Sequence, residues 1–218
     1  MKIVEGEESV RKKAEEIKRL SNLCVFEDSL LSEGYRYIAG VDEVGRGALA
    51  GPILAAAVIL DRKKVMIEGL KDSKKLTPEG RMRIFKKILR SCISWSVAKI
   101  SAQQIDEISL KNANILVVKN AVMGLKTKPD IVITDFISVD LDIPVIPLIN
   151  GDEICASVAA ASIIAKVVRD KIMIKLSRCY PHYGFEINKG YGTRDHLKSI
   201  RMYGPCTVHR MSFKGVLE

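Results

Sequence analysis

Asp42 and Glu43 stand side by side at the end of an apolar run, Ile38-Ala39-Gly40-Val41, and Gly45-Arg46-Gly47 follows after a single valine. Carboxylates at the end of a buried strand are costly unless something cationic sits beside them. A hard divalent metal is one such partner, because it prefers oxygen ligands. An arginine held between two glycines can reach a phosphate while the bare backbone comes close to the ligand. Metal beside phosphate in one short segment points to phosphodiester chemistry.

Two further carboxylates complete a candidate set. Asp135 follows the β-rich run Ile131-Val132-Ile133-Thr134, and Asp152 follows Val145 to Ile149. Ligand sites in open α/β sheets gather at such strand ends. Each acid also has a plainer reading: Asp152 as a helix N-cap, Asp135 as a strand terminator. Asp140, Asp142 and Glu153 are rival carboxylates whose spacing does not exclude them. Adjacent strand residues point to opposite faces, so Asp42 and Glu43 share one metal centre only if the strand ends or bulges at Glu43. Lys74 and Lys75 sit together in a polar loop, as phosphate contacts or as a solvated face. Tyr191, between Gly190 and Gly192 and near Lys189, is placed to stack on a base or sugar, or to be a half-buried loop tyrosine.

The elements that must position these groups read as a strand–helix alternation after an N-terminal arm. Residues 1–34 read as an amphipathic helix with Val10, Ala14, Ile17 and Leu20 on one face, capping the domain. Strands are expected at Tyr37–Val41, Ile53–Leu60, Ile93–Ile100, Ile131–Thr134 and Val145–Ile149. Thr77 and Pro78 start a helix running to about Arg90, Ser101 caps a short one, and Asn114–Leu125 gives another. One long helix is expected from Ile154 to Ser177, its Ala159-Ala160-Ala161-Ser162 stretch allowing close packing on a sheet. Gly184 to Gly192 reads as a loop, and Thr193 caps the last helix. The order implies an α/β fold, a mixed five-stranded sheet covered by helices.

At 218 residues and 47% hydrophobic content the chain is expected to form one catalytic domain, 35–218, besides the arm. A net charge of +9 favours polyanionic partners, nucleic acid first. The N-terminus lacks the look of a secretory signal and no apolar run reaches spanning length, so the expectation is a cytoplasmic protein without membrane association, and a monomer. Cys24, Cys92, Cys155, Cys179 and Cys206 are odd in number and scattered, which suits reduced thiols. His182, His196 and His209 lack metal-ligand spacing and read as loop or helix-end residues.

Taken together the segments resemble the ribonuclease HII family. The resemblance is carried by Ala39-Gly40-Val41-Asp42-Glu43-Val44-Gly45-Arg46-Gly47, Asp72-Ser73-Lys74-Lys75-Leu76, Ser157 to Lys166, Arg169-Asp170, Lys189-Gly190-Tyr191 and His209-Arg210-Met211-Ser212-Phe213, in that order over residues 36 to 215. It implies a ribonuclease H-like fold, cleavage of the RNA strand of RNA–DNA hybrids, and incision at ribonucleotides embedded in duplex DNA. It implies four carboxylates (Asp42, Glu43, Asp135 and Asp152) holding two Mg²⁺ or Mn²⁺ ions, with 3′-hydroxyl and 5′-phosphate products. By the same resemblance Gly45, Arg46 and Gly47 read the RNA-to-DNA junction and Tyr191 packs on the neighbouring deoxyribose. One departure stands out: the family usually has Asp-Gly at the third acid, and here Phe136 follows Asp135. A ribonuclease HIII-like enzyme and a non-catalytic hybrid-binding module are the other readings.

Overall fold

The computed structural model describes residues 2–71 and 73–217, so Met1 of the arm and Asp72 of the lysine loop lie outside the described residues. Along the chain the elements are α1 (Lys2–Ser32), β1 (Ile38–Val44), β2 (Ile53–Leu60), α2 (Pro78–Ser91), β3 (Cys92–Ile100), α3 (Ala102–Ile108) and α4 (Leu110–Met123). They continue with β4 (Ile131–Asp135), β5 (Val145–Leu148), α5 (Gly151–Ile154), α6 (Ala156–Cys179), α7 (Phe185–Asn188) and α8 (Arg194–Tyr203). The five strands form one mixed sheet in the order β3-β2-β1-β4-β5. β1 is antiparallel to β2 and parallel to β4, which puts the Asp42-Glu43 pair at the centre of the sheet.

Local chemistry accounts for most boundaries. Thr77 accepts a hydrogen bond from the Gly80 amide and Pro78 opens α2, while Ser101 and Gln104 form a reciprocal cap on α3. One face of the sheet, with Leu54, Ala56 and Val58, packs on α1, α2 and α6. The other, with Ala55, Ala57 and Ile59, packs on α3 and α4. The alanine-rich stretch of α6 is fully buried. The sheet comes close enough that a Cβ added at Gly40 would lie 2.2 Å from the Ser157 carbonyl carbon. No helix among the described residues is long and apolar enough to cross a membrane.

Four expectations are corrected. β1 does not stop at Val41 but runs through Asp42 and Glu43 to Val44, paired regularly with β2 and without a bulge. The helix expected from Ile154 breaks at Cys155, whose extended backbone separates α5 from α6. The loop at 184–192 contains the single turn α7. In the arm, Val10, Ala14 and Ile17 are exposed and only Leu20 of the expected face is buried. The helix docks on the core by Leu20, Leu23, Cys24, Glu27 and Leu30. Glu27 is a buried carboxylate that accepts a hydrogen bond from the Ser157 amide at 2.9 Å, capping the start of α6 from the arm.

Candidate active site

Because β1 is regular, its two acids leave the strand on opposite faces. Asp42 faces α6, where the Ser162 hydroxyl bonds to it, and Ser73 bonds in turn to Ser162 at 2.9 Å. Glu43 faces α4 and takes a hydrogen bond from Asn114. Asp135 closes β4, next to β1, and its Oδ1 accepts from the Gly151 amide at 2.8 Å. Asp152 follows in the first turn of α5, only 5% exposed. It is not the N-cap; Asn150 is, in a left-handed conformation and without a side-chain cap bond. The parallel β1–β4 pairing and the Asp135–Gly151 bond thus bring together four acids spread over more than 100 residues of sequence.

Their charges are nevertheless coupled: Asp42 Oδ1 turns back to accept the Glu43 amide and feels the Glu43, Asp135 and Asp152 charges, so the bulge set as the condition for a shared site is not needed for the two acids to act on one another. Burial, then the Glu43 charge, and further Asp135 and Asp152, push the Asp42 carboxyl well above the usual carboxylate range, against the Ser162 hydrogen bond. Glu43 is raised by burial and by Asp135, against Asn114 and the Arg46 charge. The rivals do not enter this coupling: Asp140 and Asp142 are exposed, and Glu153 pairs with Lys75 at 2.5 Å. Lys74, on the exposed side, holds its ammonium 4.0 Å from Asp152. Among the described residues no three potential ligands are drawn together as a formed cation cage. The donor set nevertheless fits a hard divalent cation: it is all oxygen, it repels itself at neutral pH, and the buried Asn114 Oδ1 beside Glu43 has no hydrogen-bond partner.

The Gly45-Arg46-Gly47 loop continues directly from β1 and is fastened from below by two buried arginines that sequence reasoning gave no role. Arg210 donates to the carbonyls of Gly45 (2.7 Å), Arg46 (2.8 Å) and Gly51 (3.0 and 3.1 Å). Arg169 donates to the carbonyls of Ala50, Pro52 and Lys189, and its guanidinium lies 5.3 Å from the centre of the Tyr191 ring. Both are fully buried. Burial, and after it the Arg169 charge, lower Arg210 to about 9. The amides of Leu49 and Ala50 also donate to the Gly190 carbonyl, so the glycine loop and the Tyr191 loop form one unit. Two histidines extend it: His196 Nδ1 contacts the Tyr191 carbonyl and His196 Nε2 lies 3.0 Å from His209 Nε2. They stand where expected, His196 in the first turn of α8 and His209 in the segment after it, but as a buried pair, and burial, then the His196 charge, lower His209 to about 4. No periodicity flags a buried arginine that binds only carbonyls, so composition and spacing left these residues silent.

The glycines divide in function. Gly45 has φ +88°, and a Cβ there would lie 2.1 Å from Arg169 Nε; a Cβ at Gly47 would meet nothing within 4 Å. The protein itself demands Gly45, whereas Gly47 faces open space.

A mixed sheet whose central strand carries acids on both faces, joined by acids from the next strand and the following helix, defines a ribonuclease H-like nuclease fold. The family model for Ribonuclease HII matches residues 39–216. Ribonuclease HII of Caldicellulosiruptor saccharolyticus is 51% identical over 90% of this chain and 97% of its own length, and that of Acetivibrio thermocellus is 45% identical over 97% and 83%. Among solved structures, the ribonuclease H2 of Pyrococcus horikoshii matches with a TM-score of 0.71 at 28% identity, covering 83% of this chain and 95% of that one. The Archaeoglobus fulgidus ribonuclease HII solved with PCNA matches at 0.69 and 26%, covering 80% and 92%. Bst-RNase HIII, solved with Mn²⁺, matches at 0.62 and 25%, covering 83% and 68%. The chain belongs to the ribonuclease HII family and is an endoribonuclease of the ribonuclease H type, acting on RNA–DNA hybrids. The family match sets aside the ribonuclease HIII reading and the non-catalytic one.

Proposed function

We propose that this enzyme also incises duplex DNA at embedded ribonucleotides, using two divalent ions held by Asp42, Glu43, Asp135 and Asp152. One observation carries the proposal: the acids of β1 run without interruption into a glycine loop locked to Tyr191 through Arg169. Charge that can hold metal and backbone that can approach a sugar are thereby fixed to one strand. Bound Mg²⁺ or Mn²⁺ would supply an activated water and stabilise the leaving 3′-oxygen. The chain's own groups do the rest. The carboxylates carry the negative charge that holds the ions, and Ser162 and Asn114 orient Asp42 and Glu43. Exposed Arg46, with Lys74 and Lys75, would steer the phosphate backbone. Backbone groups at Gly45 to Gly47 would meet the 2′-hydroxyl that separates RNA from DNA, and Tyr191 would pack on the deoxyribose next to it. A monomer acting in the cytoplasm suits this reading. A duplex with one ribonucleotide, assayed with Mn²⁺, with Mg²⁺ and with EDTA, tests it; metal-dependent incision at that nucleotide, leaving a 3′-hydroxyl, is expected, and an intact duplex alongside a cleaved hybrid would refute it.

The split between the glycines gives a sharper expectation. Gly47→Ala should leave the melting temperature within about 1 °C of the parent, since surface changes away from special features are nearly neutral. It should still cut incision at a single ribonucleotide at least about tenfold, because a methyl group would stand where the sugar approaches. Gly45→Ala should instead unfold the loop, its left-handed strain alone costing about 1–3 kcal/mol. Thermal melts and initial rates on the two variants decide this; equal behaviour would remove the distinction. For the phosphate contacts, Arg46→Ala should flatten the log–log salt dependence of duplex binding by about 0.9. An unchanged slope would place Arg46 outside the phosphate path.

A further inference from the structure

Among the described residues, four non-glycine residues have positive φ: Ser109, Phe136, Asn150 and Lys189. Three of them border the groups assigned above. Phe136 follows Asp135, Asn150 lies two residues before Asp152, and Lys189 lies two before Tyr191. Asparagine tolerates this conformation, and Lys189 ends α7 with its carbonyl on Arg169. Phe136 is the anomaly, a bulky aromatic at φ +63°.

The turn explains the backbone but not the side chain. The Phe136 amide donates to the Leu148 carbonyl at 2.8 Å and the Ile137 amide to the Asp135 carbonyl at 2.9 Å, a tight exit from β4 that glycine or asparagine would make with less strain. Nor does packing repay the ring, which is 69% exposed. Ile149, 72% exposed, stands at the corresponding exit of β5, since the β4–β5 register ends on Asp135 opposite Leu148. The Asp135–Gly151 hydrogen bond ties the two exits together. Two exposed apolar side chains therefore rim the turns that present Asp135 and Asp152. Strained residues whose own fold gains nothing from them gather at ligand sites.

We propose that Phe136, with Ile149 beside it, is a substrate-contact residue that packs against a sugar ring of the nucleic-acid strand at the Asp135 side of the site. The inference rests on the nuclease reading above and deepens it: the rim would bind through apolar contact where the rest of the site binds through charge. Sugar rings present C–H faces that an aromatic ring covers well, and the contact would be insensitive to sequence.

Phe136→Asn keeps a residue that accepts the left-handed turn and removes the ring; Phe136→Tyr keeps the ring. On a duplex with one embedded ribonucleotide, Phe136→Asn should raise KM about tenfold, with kcat falling far less than kcat/KM. Its melting temperature should equal or exceed the parent's, and Phe136→Tyr should keep the parental KM. An unchanged KM in Phe136→Asn, a loss in kcat alone, or an equal loss in the tyrosine variant would overturn the contact. The unaltered enzyme is assayed first on the same duplex and on a hybrid. Failure there would overturn the function reading and the contact with it, whereas a normal parent with a normal Phe136→Asn overturns the contact only.

Discussion

Asp42→Asn is expected to abolish cleavage, by at least about 10³-fold, because metal-assisted charge stabilisation is worth several kcal/mol. The same change should stabilise the metal-free protein. Asp42 is 8% exposed, and burial followed by the Glu43, Asp135 and Asp152 charges raises its proton affinity in the fold. A carboxyl whose folded-state pKa lies above its unfolded value favours folding at low pH; that contribution is lost as pH rises through the folded-state pKa. Metal-free enzyme should therefore melt at falling temperature as the pH is taken from acid toward neutral. Asparagine carries no charge at any of these pH values and still accepts the Glu43 amide that Asp42 Oδ1 takes at 2.7 Å. The decline should flatten, and each kcal/mol regained should raise the melting temperature by about 2–4 °C for a domain of this size. Added Mg²⁺ should stabilise the parent more than the variant, since the parent alone gains relief of the carboxylate repulsion. Activity assays and melts across pH, with Mg²⁺ and with EDTA, check all three; a variant that cleaves at near-normal rate would remove Asp42 from the metal site.

Arg210→Ala should produce the largest stability loss among residues that carry no part of the chemistry. Its four hydrogen bonds satisfy the Gly45, Arg46 and Gly51 carbonyls, those to Gly45 and Gly51 in a buried setting and that to Arg46 half-buried. The Gly45 carbonyl would keep only the Ala48 amide at 3.4 Å, while the Gly51 and Arg46 carbonyls would lose their guanidinium donor; at about 1–3 kcal/mol for each buried bond lost, a loss of about 3 kcal/mol or more is expected. The charge itself is a cost that the carbonyls offset, as its lowering to about 9 by burial and by Arg169 indicates. Arg210→Lys keeps the charge but cannot span the carbonyls as a planar fork does, and should recover only part of the loss. Denaturant melts at neutral pH measure both. A loss under about 1 kcal/mol for alanine would mean that water replaces the guanidinium.

Much of this was legible in the chain. Apolar runs located the strands, and Thr77-Pro78, Ser101 and Thr193 located three helix starts, because capping chemistry is local. The acids were legible as candidates for the same reason: a carboxylate beside a buried strand is conspicuous in sequence. Phe136 was legible as a departure from the family's Asp-Gly, and its φ of +63° shows why glycine suits the position. Tertiary burial set the docking face of α1, which is why Val10, Ala14 and Ile17 misled: amphipathic spacing cannot tell which turns of a helix the core covers.

By itself the sequence determined the family and offered the four acids and the glycine–arginine loop as candidates, all of which depend on residue type and local spacing. Only the tertiary structure decided that β1 stays regular through Glu43, so that its acids flank the sheet instead of sharing a bulge. Only it paired Asp135 with Gly151, placed Ser162 and Asn114 on the two acids, and seated Arg169 and Arg210 against the Gly45-Arg46-Gly47 loop. Those contacts join residues from 16 to 165 positions apart. Such partners are chosen by which groups burial leaves without hydrogen bonds, and that need arises only once the sheet and its helices have closed over them.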